Sequence, residues 1–298
     1  MIDTKRETLG KEALEKEALE KETLEKEGSG AVMTEHSDGK YGAVVTGASS
    51  GIGCAIAAML LTLGYEVYGL GRDFQKNDVE TGDVENHNAG AAEKAPVRTL
   101  LSHPDFHAVT LDLLQEDEAL SRLREIRRNC DLRLLVNNAG VAYYGLHEEV
   151  NAEKIRRITR TNLEIPMLFT GEVLRSFKEK SKADPEHPCG LIYISSVTAL
   201  GPAPHGAAYG ATKAALRSFG SSVFQEARKY GVRVTTILPD LTESGLYRNA
   251  DFTTDPAMDA HLTPEDVAEA VRFAVTARPG MVVPELLLQP RLSRICRK

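Results

Sequence analysis

Short apolar runs alternate along this chain with longer segments of helical periodicity. The apolar runs predict seven β-strands, at residues 43–45, 66–70, 107–111, 132–136, 191–194, 232–238 and 285–288. Helical patterns occupy residues 54–63, 118–130 and 151–177, and another begins near Ala207. Because strands that alternate with helices form right-handed βαβ units, the pattern predicts one α/β domain. Its doubly wound parallel sheet has about seven strands, with helices on both faces.

A five-residue repeat, KEALE-KEALE-KETLE-KE, fills residues 11–27. Successive leucines of the repeat are turned by about 140° on a helix of 3.6 residues per turn, so they form no coiled-coil seam. We expect residues 1–39 to be a charged tail, helical or disordered, outside a domain that spans residues 40–298. A partner-binding arm is the alternative interpretation of this tail.

Composition is typical of a globular protein, with 42% hydrophobic and 27% charged residues among 298. The net charge of −7 argues against a general nucleic-acid-binding protein. The four cysteines show no metal-ligand spacing, so we expect no metal site and interpret them as reduced thiols of a cytoplasmic protein. The charged N-terminus is unlike a signal peptide, and the apolar runs are too short for a membrane helix.

A glycine-rich turn, TGASSGIG at residues 46–53, follows the first predicted strand and precedes an apolar helical segment. Glycines allow a tight turn and a close approach of the backbone to a ligand, while the helix N-terminus offers free N–H groups and a positive dipole end. Strand, glycine turn and helix in this order are typical of a dinucleotide phosphate site. The alternative is a turn without a ligand, since a glycine pattern alone is a weak signal.

A candidate proton-transfer site lies further along the chain. Tyr209 and Lys213 are four residues apart, so they share one face of the helix that begins near Ala207. A nearby ammonium favours the phenolate and lowers the pKa of a tyrosine, so that Tyr209 could exchange a proton with a substrate oxygen. Ser196, on the loop after the fifth strand, could donate a second hydrogen bond to that oxygen.

Together, the Thr-Gly-x-x-x-Gly-x-Gly turn, the Asn-Asn-Ala-Gly sequence at residues 137–140, and Ser196, Tyr209 and Lys213 resemble the short-chain dehydrogenase/reductase family. The resemblance covers nearly the whole predicted domain. It implies a single Rossmann-type sheet and an NADP-dependent oxidoreductase that interconverts a carbonyl and an alcohol by hydride transfer.

The resemblance also implies four catalytic residues. Tyr209 would be the general acid/base, Ser196 would hold the substrate oxygen, and Lys213 would hydrogen-bond the nicotinamide ribose and lower the pKa of Tyr209. Asn162 resembles the family's helix asparagine, whose backbone carbonyl holds a water that connects the lysine to solvent.

The cofactor site that the resemblance implies comprises Gly47, Ser49, Ser50, Gly51, Ile52, Gly53, Arg72, Asp112, Leu113, Asn138, Ala139, Gly140, Tyr209, Lys213, Pro239 and Thr242. Asp112 and the backbone N–H of Leu113 would contact the adenine, and Thr242 the carboxamide. Asn137 would tie neighbouring strands together. Asp240 stands where the family usually has glycine, which would restrict the backbone beside the nicotinamide.

Residues 71–73 bear on the choice between NADP and NAD. Gly71 occupies the position where NAD-preferring family members carry an aspartate, and Arg72 follows, where NADP-preferring members often have a basic residue. An arginine can pair with a 2′-phosphate through two hydrogen bonds. We therefore expect NADP or NADPH rather than NAD. A shift of the register by two residues would instead bring Asp73 to the ribose.

The substrate is not evident from the sequence. Residues 141–146, residues 197–205 and a lid at residues 241–262 are expected to line its pocket. A 3-oxoacyl thioester reductase and a hydroxysteroid or sugar-alcohol dehydrogenase are alternatives within enzymes, and a cofactor-binding sensor is the alternative outside them. A small-molecule substrate, a homodimer or homotetramer, and no nucleic-acid or membrane partner are expected. The basic C-terminal tail is expected to be solvated.

Overall fold

The computed structural model describes residues 39–74, 94–247, 250–257, 259–292 and 294–297. The predicted N-terminal tail, apart from Gly39, lies outside the described residues. Within these ranges, no helix combines the length and the apolar character needed to cross a lipid bilayer.

Nine strands are present in the described residues: β1 (Tyr41–Thr46), β2 (Glu66–Gly71), β3 (Phe106–Thr110), β4 (Asp131–Asn137), β5 (Gly190–Ile194), β6 (Arg233–Pro239), β7 (Phe252–Thr254), β8 (Glu285–Leu288) and β9 (Ile295–Arg297). Seven of them form a parallel sheet in the order β3-β2-β1-β4-β5-β6-β8. These seven confirm the predicted strands to within two residues. The short strands β7 and β9 form a separate antiparallel pair.

Seven α-helices surround the sheet in the described residues: α1 (Gly51–Thr62), α2 (Lys94–Leu101), α3 (Glu116–Asn129), α4 (Ala152–Thr159), α5 (Ile165–Ala183), α6 (Ala207–Ala227) and α7 (Pro264–Thr276). Buried apolar residues of α1, α2 and α7 form one core with the sheet, and those of α3, α5 and α6 form a second core. Two cores on opposite faces are the expected result of right-handed βαβ crossovers. The Rossmann-type architecture with helices on both faces is therefore confirmed.

A π-helical turn, Arg160–Glu164, interrupts the helical segment that the sequence predicts as continuous at residues 151–177. The backbone N–H of Ile165 bonds to the carbonyl of Arg160, five residues earlier. Pro166 has no N–H and cannot donate to the carbonyl of Asn162, its ordinary helical partner. The proline thus explains why the regular hydrogen-bond ladder is broken beside Asn162.

A complete capping box begins α7 at the predicted residue. The Thr263 hydroxyl accepts the N–H of Asp266 at 3.2 Å, and the Asp266 carboxylate accepts the N–H of Thr263 at 2.8 Å. Pro264 occupies the first turn, where its missing N–H costs nothing. The cap stabilises the first turn of α7. Helix α7 in turn packs against α1, the helix that follows the glycine-rich turn.

We expect Thr263→Ala to lower the free energy of unfolding by about 1 kcal/mol, because the N–H of Asp266 loses its acceptor and the Asp266 carboxylate loses the hydroxyl that donates to it. Urea unfolding of the purified full chain measures the change. Thr263→Ser keeps the hydroxyl and is the control. An equal loss in the serine and alanine variants would contradict the capping role.

Candidate active site

A cleft of about 450 Å³ lies along the carboxyl ends of the parallel strands. It crosses the position between β1 and β4, where the strand order reverses and where doubly wound sheets bind their ligands. All of the predicted catalytic and cofactor-binding residues line this one cleft except Asn162, which is fully buried behind it. The sequence motifs therefore meet in space, although their roles in binding and catalysis stay predictions.

The glycine-rich turn packs too tightly for side chains. A Cβ atom on Gly53 would lie 2.2 Å from the carbonyl oxygen of Gly47, and Gly47 has a φ of +70°. Ser50, the N-cap of α1, makes no side-chain hydrogen bond to the helix, and the first turn of α1 contains no acidic residue. Free N–H groups at the positive end of the helix dipole, beside a bare backbone, fit the pyrophosphate of a dinucleotide.

The ends of β1 and β4 are joined by hydrogen bonds between Thr46 and Asn138. The Thr46 hydroxyl accepts the backbone N–H groups of Asn138 and Ala139, each at 3.0 Å, and the Asn138 side chain donates to the Thr46 carbonyl at 2.8 Å. The expectation that the Asn137 side chain ties the strands together is wrong, because Asn138 makes these bonds. Asn138 comes just after β4, where the chain turns across the end of β1. The Asn137 amide is buried without a hydrogen-bond partner in the described part of the chain.

Tyr209 and Lys213 lie on α6 above the end of β5. The Lys213 ammonium donates to the carbonyl of Ile194 at 2.7 Å and lies 5.7 Å from the centre of the Tyr209 ring. The Ser196 hydroxyl accepts the N–H of Thr198 at 3.2 Å, which fixes the loop after β5. The neighbouring Ser195 donates to the carbonyl of Lys213 at 2.8 Å, so its hydroxyl joins the loop after β5 to α6.

Burial controls the pKa values of this pair. Desolvation raises the pKa of Tyr209, the nearby Tyr247 raises it further, and a hydrogen bond with Ser196 opposes the shift. Desolvation lowers the pKa of Lys213 to about 8. The pKa of Tyr209 is therefore raised overall, whereas the sequence led us to expect that Lys213 would lower it. Both groups lose their hydration, and the ammonium is bound to the Ile194 carbonyl.

Asn162 connects the loop after β4 to α6. Its side chain accepts the N–H of Val141 and donates to the carbonyl of Val141, both at 2.9 Å, and it also donates to the hydroxyl of Thr212 at 3.1 Å. Thr212 precedes Lys213. The side chain of Asn162 thus positions the helix that carries the tyrosine and the lysine, while its backbone carbonyl lacks the donor that Pro166 cannot supply.

Comparison with known protein families is decisive at this point. The family model described as "short chain dehydrogenase" matches residues 42–254, more than half of the chain. The chain belongs to the short-chain dehydrogenase family. It is accordingly an oxidoreductase by family.

Relatives of this short-chain dehydrogenase span nearly its whole domain. The chain is 29% identical over 254 residues to a farnesol dehydrogenase from Aedes aegypti. The aligned region covers 83% of this chain and 95% of that protein. It is 26% identical over 249 residues to an uncharacterized oxidoreductase from Staphylococcus saprophyticus, covering 83% of this chain and 96% of that protein.

Two solved structures with bound nucleotides have the same fold. A metagenomic short-chain oxidoreductase in complex with NADP is 26% identical, with a TM-score of 0.64 over 85% of this chain and 99% of that one. A 3-ketoacyl-(acyl-carrier-protein) reductase from Brucella melitensis complexed with NADH is 25% identical, with a TM-score of 0.66 over 84% of this chain and 97% of that one. Neighbours of this dehydrogenase therefore bind either nucleotide.

At the end of β2, this dehydrogenase has no room for an acidic side chain at residue 71. A Cβ atom on Gly71 would lie 2.9 Å from both the Cβ and the Oγ of Ser49. Among the described residues, Arg72 is exposed and lines the cleft, whereas Asp73 does not line it. Which of these two residues would meet the ribose of a nucleotide stays a prediction.

Asp240 adopts an ordinary backbone conformation in this dehydrogenase. Its φ is not positive, whereas that of His205 is 59°. Its carboxylate accepts the N–H of Leu241 at 2.8 Å and the side-chain amide of Gln289 at 3.1 Å, and its carbonyl accepts the Thr242 hydroxyl at 2.8 Å. The aspartate in place of the usual glycine is therefore accommodated without backbone strain, and its charge is hydrogen-bonded.

Several cleft residues belong to no short motif and were not predicted from the sequence. Arg157 on α4 and Thr161 on the π turn are four residues apart and both line the cleft, as does Leu114. For Arg157 and Thr161, the spacing of four residues just before Asn162 is the signal that could have found them, because residues four apart share a helix face.

We expect Thr46→Val to destabilise the protein by roughly 1–3 kcal/mol, because two partly buried N–H groups would lose their acceptor. Chemical unfolding measures this loss. Thr110→Val, on the exposed side of β3, is the control and should change stability little. Unchanged stability of the Thr46→Val protein would show that the hydrogen bonds from Asn138 and Ala139 to Thr46 are not important to the fold.

Proposed function

We propose that this short-chain dehydrogenase is an NADP-dependent oxidoreductase that interconverts a carbonyl and an alcohol, with Tyr209 as the general acid/base. One observation carries the proposal. Tyr209, Lys213 and Ser196 line the same cleft as the glycine-rich turn and the exposed side chain of Arg72. A binding protein without turnover would not need this reactive set, which weighs against the cofactor-sensor alternative.

NADP, when bound, supplies or accepts the hydride. The glycine-rich turn would hold the pyrophosphate, and Arg72 the 2′-phosphate. Asp112 and Leu113 would contact the adenine, and Pro239 and Thr242 the nicotinamide end of the cofactor.

In carbonyl reduction, Tyr209 would donate its proton to the substrate oxygen while the Ser196 hydroxyl holds that oxygen. The raised pKa of Tyr209 keeps the phenol protonated at neutral pH, which suits a general acid. Lys213, with a pKa of about 8, is close to the pH at which it can pass on a proton. A water on the Asn162 carbonyl would extend this path to solvent.

Two substrate classes have some support. The similarity to a farnesol dehydrogenase favours an apolar alcohol or its carbonyl product. The similarity to a 3-ketoacyl-(acyl-carrier-protein) reductase keeps a 3-oxoacyl thioester as the second candidate. No comparable observation favours a hydroxysteroid.

We expect Arg72→Ala to weaken NADPH binding by about 10- to 100-fold and to leave NADH binding nearly unchanged, because one charge-assisted pair is lost. Fluorescence titration with both nucleotides measures the effect. Arg122→Ala removes an exposed arginine on α3 and is the control. Equal binding of NADH and NADPH by the unaltered protein would overturn the NADP preference.

We expect Tyr209→Phe to reduce turnover by about 10²- to 10⁴-fold, the usual contribution of a general acid, while NADPH binding stays within about twofold. Steady-state kinetics with NADPH and a panel of ketones and aldehydes measures this. Tyr193→Phe removes a buried hydroxyl outside the cleft and is the control. Full activity of Tyr209→Phe would remove the tyrosine from the mechanism.

A further inference from the structure

Two guanidinium groups line the cleft, and only one of them has a proposed ligand. Arg72 follows β2 and is proposed to bind the 2′-phosphate, whereas Arg157 is a half-buried residue of α4. Among the described residues, neither group has an ion pair or a hydrogen bond. By contrast, the nearby Arg160 pairs with Glu164 at 3.3 Å and donates to the carbonyl of Leu114 at 3.1 Å. Arg157 is therefore a cation that faces the cleft without a counter-charge.

Thr161 adds a hydroxyl to the cleft one turn after Arg157. The residue is only 8% exposed and lines the cleft, and its hydroxyl has no hydrogen-bond partner in the described part of the chain. A helical threonine can bond to the carbonyl four residues earlier, as Thr159 does to Ile155 at 2.9 Å. Because a buried hydroxyl without a partner is costly, the free hydroxyl of Thr161 is a second indication that a polar group of a ligand reaches this wall. We call Arg157 and Thr161 the helical pair.

The segment that carries the helical pair is held beside the glycine-rich turn. Asn162 bonds to the N–H and to the carbonyl of Val141, both at 2.9 Å. The turn just before Val141 is bound in turn to the end of β1, because the Thr46 hydroxyl accepts the N–H of Ala139 at 3.0 Å. The helical pair therefore lines the cleft from the β4 side and Arg72 from the β2 side, with β1 and its glycine-rich turn between them.

The charges of the cleft suit a nucleotide with two anionic groups, such as the 2′-phosphate and the pyrophosphate of NADP. The glycine-rich turn has no cationic side chain and offers neutral N–H groups to the pyrophosphate. Of the other charged side chains that line the cleft in the described residues, Lys213 is bound to a backbone carbonyl, and Asp112 and Asp240 are acidic. With Arg72 at the 2′-phosphate, Arg157 supplies the positive charge for the pyrophosphate.

We infer that Arg157 is a further nucleotide-binding residue, whose charge attracts the pyrophosphate that NADP and NAD share, and that the Thr161 hydroxyl hydrogen-bonds to the same nucleotide. The inference rests on the proposed function for the class of cofactor, but not for the preference between NADP and NAD. Coulomb attraction acts over several ångströms in a partly buried cleft, so it does not require a single hydrogen-bond geometry. Arg72 would distinguish the two nucleotides, while Arg157 would strengthen the binding of both.

The test measures nucleotide binding by the full chain without substrate, so that it does not depend on turnover. Fluorescence titration measures NADPH and NADH, and calorimetry measures ADP, which has two linked phosphates but neither the 2′-phosphate nor the nicotinamide. We expect Arg157→Gln to weaken the binding of all three by about tenfold or more, because a charge-assisted contact is lost. The ratio of NADPH to NADH affinity should stay within about twofold, because the 2′-phosphate contact is separate. Arg156→Gln removes an exposed arginine of α4 that does not line the cleft, and it is the matched control.

Further measurements separate the effect of charge from an effect on structure. Arg157→Lys keeps the charge and should weaken ADP binding by no more than about threefold. Salt screens the attraction, so the difference between the unaltered protein and Arg157→Gln should shrink between about 0.05 and 1 M sodium chloride. Thr161→Val removes one neutral hydrogen-bonding group and should weaken ADP binding by about threefold. An unchanged midpoint of urea unfolding verifies that each variant is folded.

Normal ADP binding by Arg157→Gln would overturn the inference. A loss confined to NADPH would also overturn it, because Arg157 would then bind the 2′-phosphate, as would equal losses in the glutamine and lysine variants, because the charge would then not matter. Normal ADP binding by Thr161→Val would remove the hydroxyl from the inference. Binding of both nucleotides that depends on Arg157, in a protein that reduces no ketone or aldehyde of the panel, would support the inference and would instead contradict the proposed function.

Discussion

The junction between Thr46 and Asn138 is the constraint on which the site depends. Parallel strands place their carboxyl ends at one edge of the sheet. Between β1 and β4, where the strand order reverses, the chain leaves the two strands in opposite directions and a crevice opens. Here the hydroxyl of Thr46 accepts two backbone N–H groups from the turn after β4. That turn and the glycine-rich turn are therefore held at a fixed distance. Both turns line the cleft and contact each other, since a Cβ atom on Gly47 would lie 3.0 Å from the Cα of Ala139.

The reactive groups are held by a second set of bonds that reaches across the sheet. Asn162 fixes Val141 and Thr212, and the Ile194 carbonyl fixes the ammonium of Lys213. These bonds are made by buried groups, whose positions cannot relax toward water. The same burial that orients Tyr209 and Lys213 also moves their pKa values, so geometry and acidity are set by one cause.

Much of the fold could be predicted from the sequence because buried parallel strands are nearly continuous apolar runs. The capping box at Thr263 is similarly local, since its four residues contain all of the partners. The clustering of the glycine turn with Ser196, Tyr209 and Lys213 followed from motifs whose order the family constrains. By contrast, the net pKa shift of Tyr209 depends on burial by residues distant in sequence. Whether Asn137 or Asn138 bonds to the end of β1 depends on the residue at which β4 ends, and the sequence does not define that residue closely enough. The pairing of β7 with β9 joins two short segments that carry no strong periodic signal.

The contact between Gly71 and Ser49 makes these two positions interdependent in evolution and in engineering. An aspartate at residue 71 would drive its Cβ into the side chain of Ser49. An acidic residue at the end of β2 would therefore require Ser49 to shift or to be replaced. An exchange at residue 71 and an exchange at residue 49 would not have independent effects, so the order in which the two mutations occur would matter.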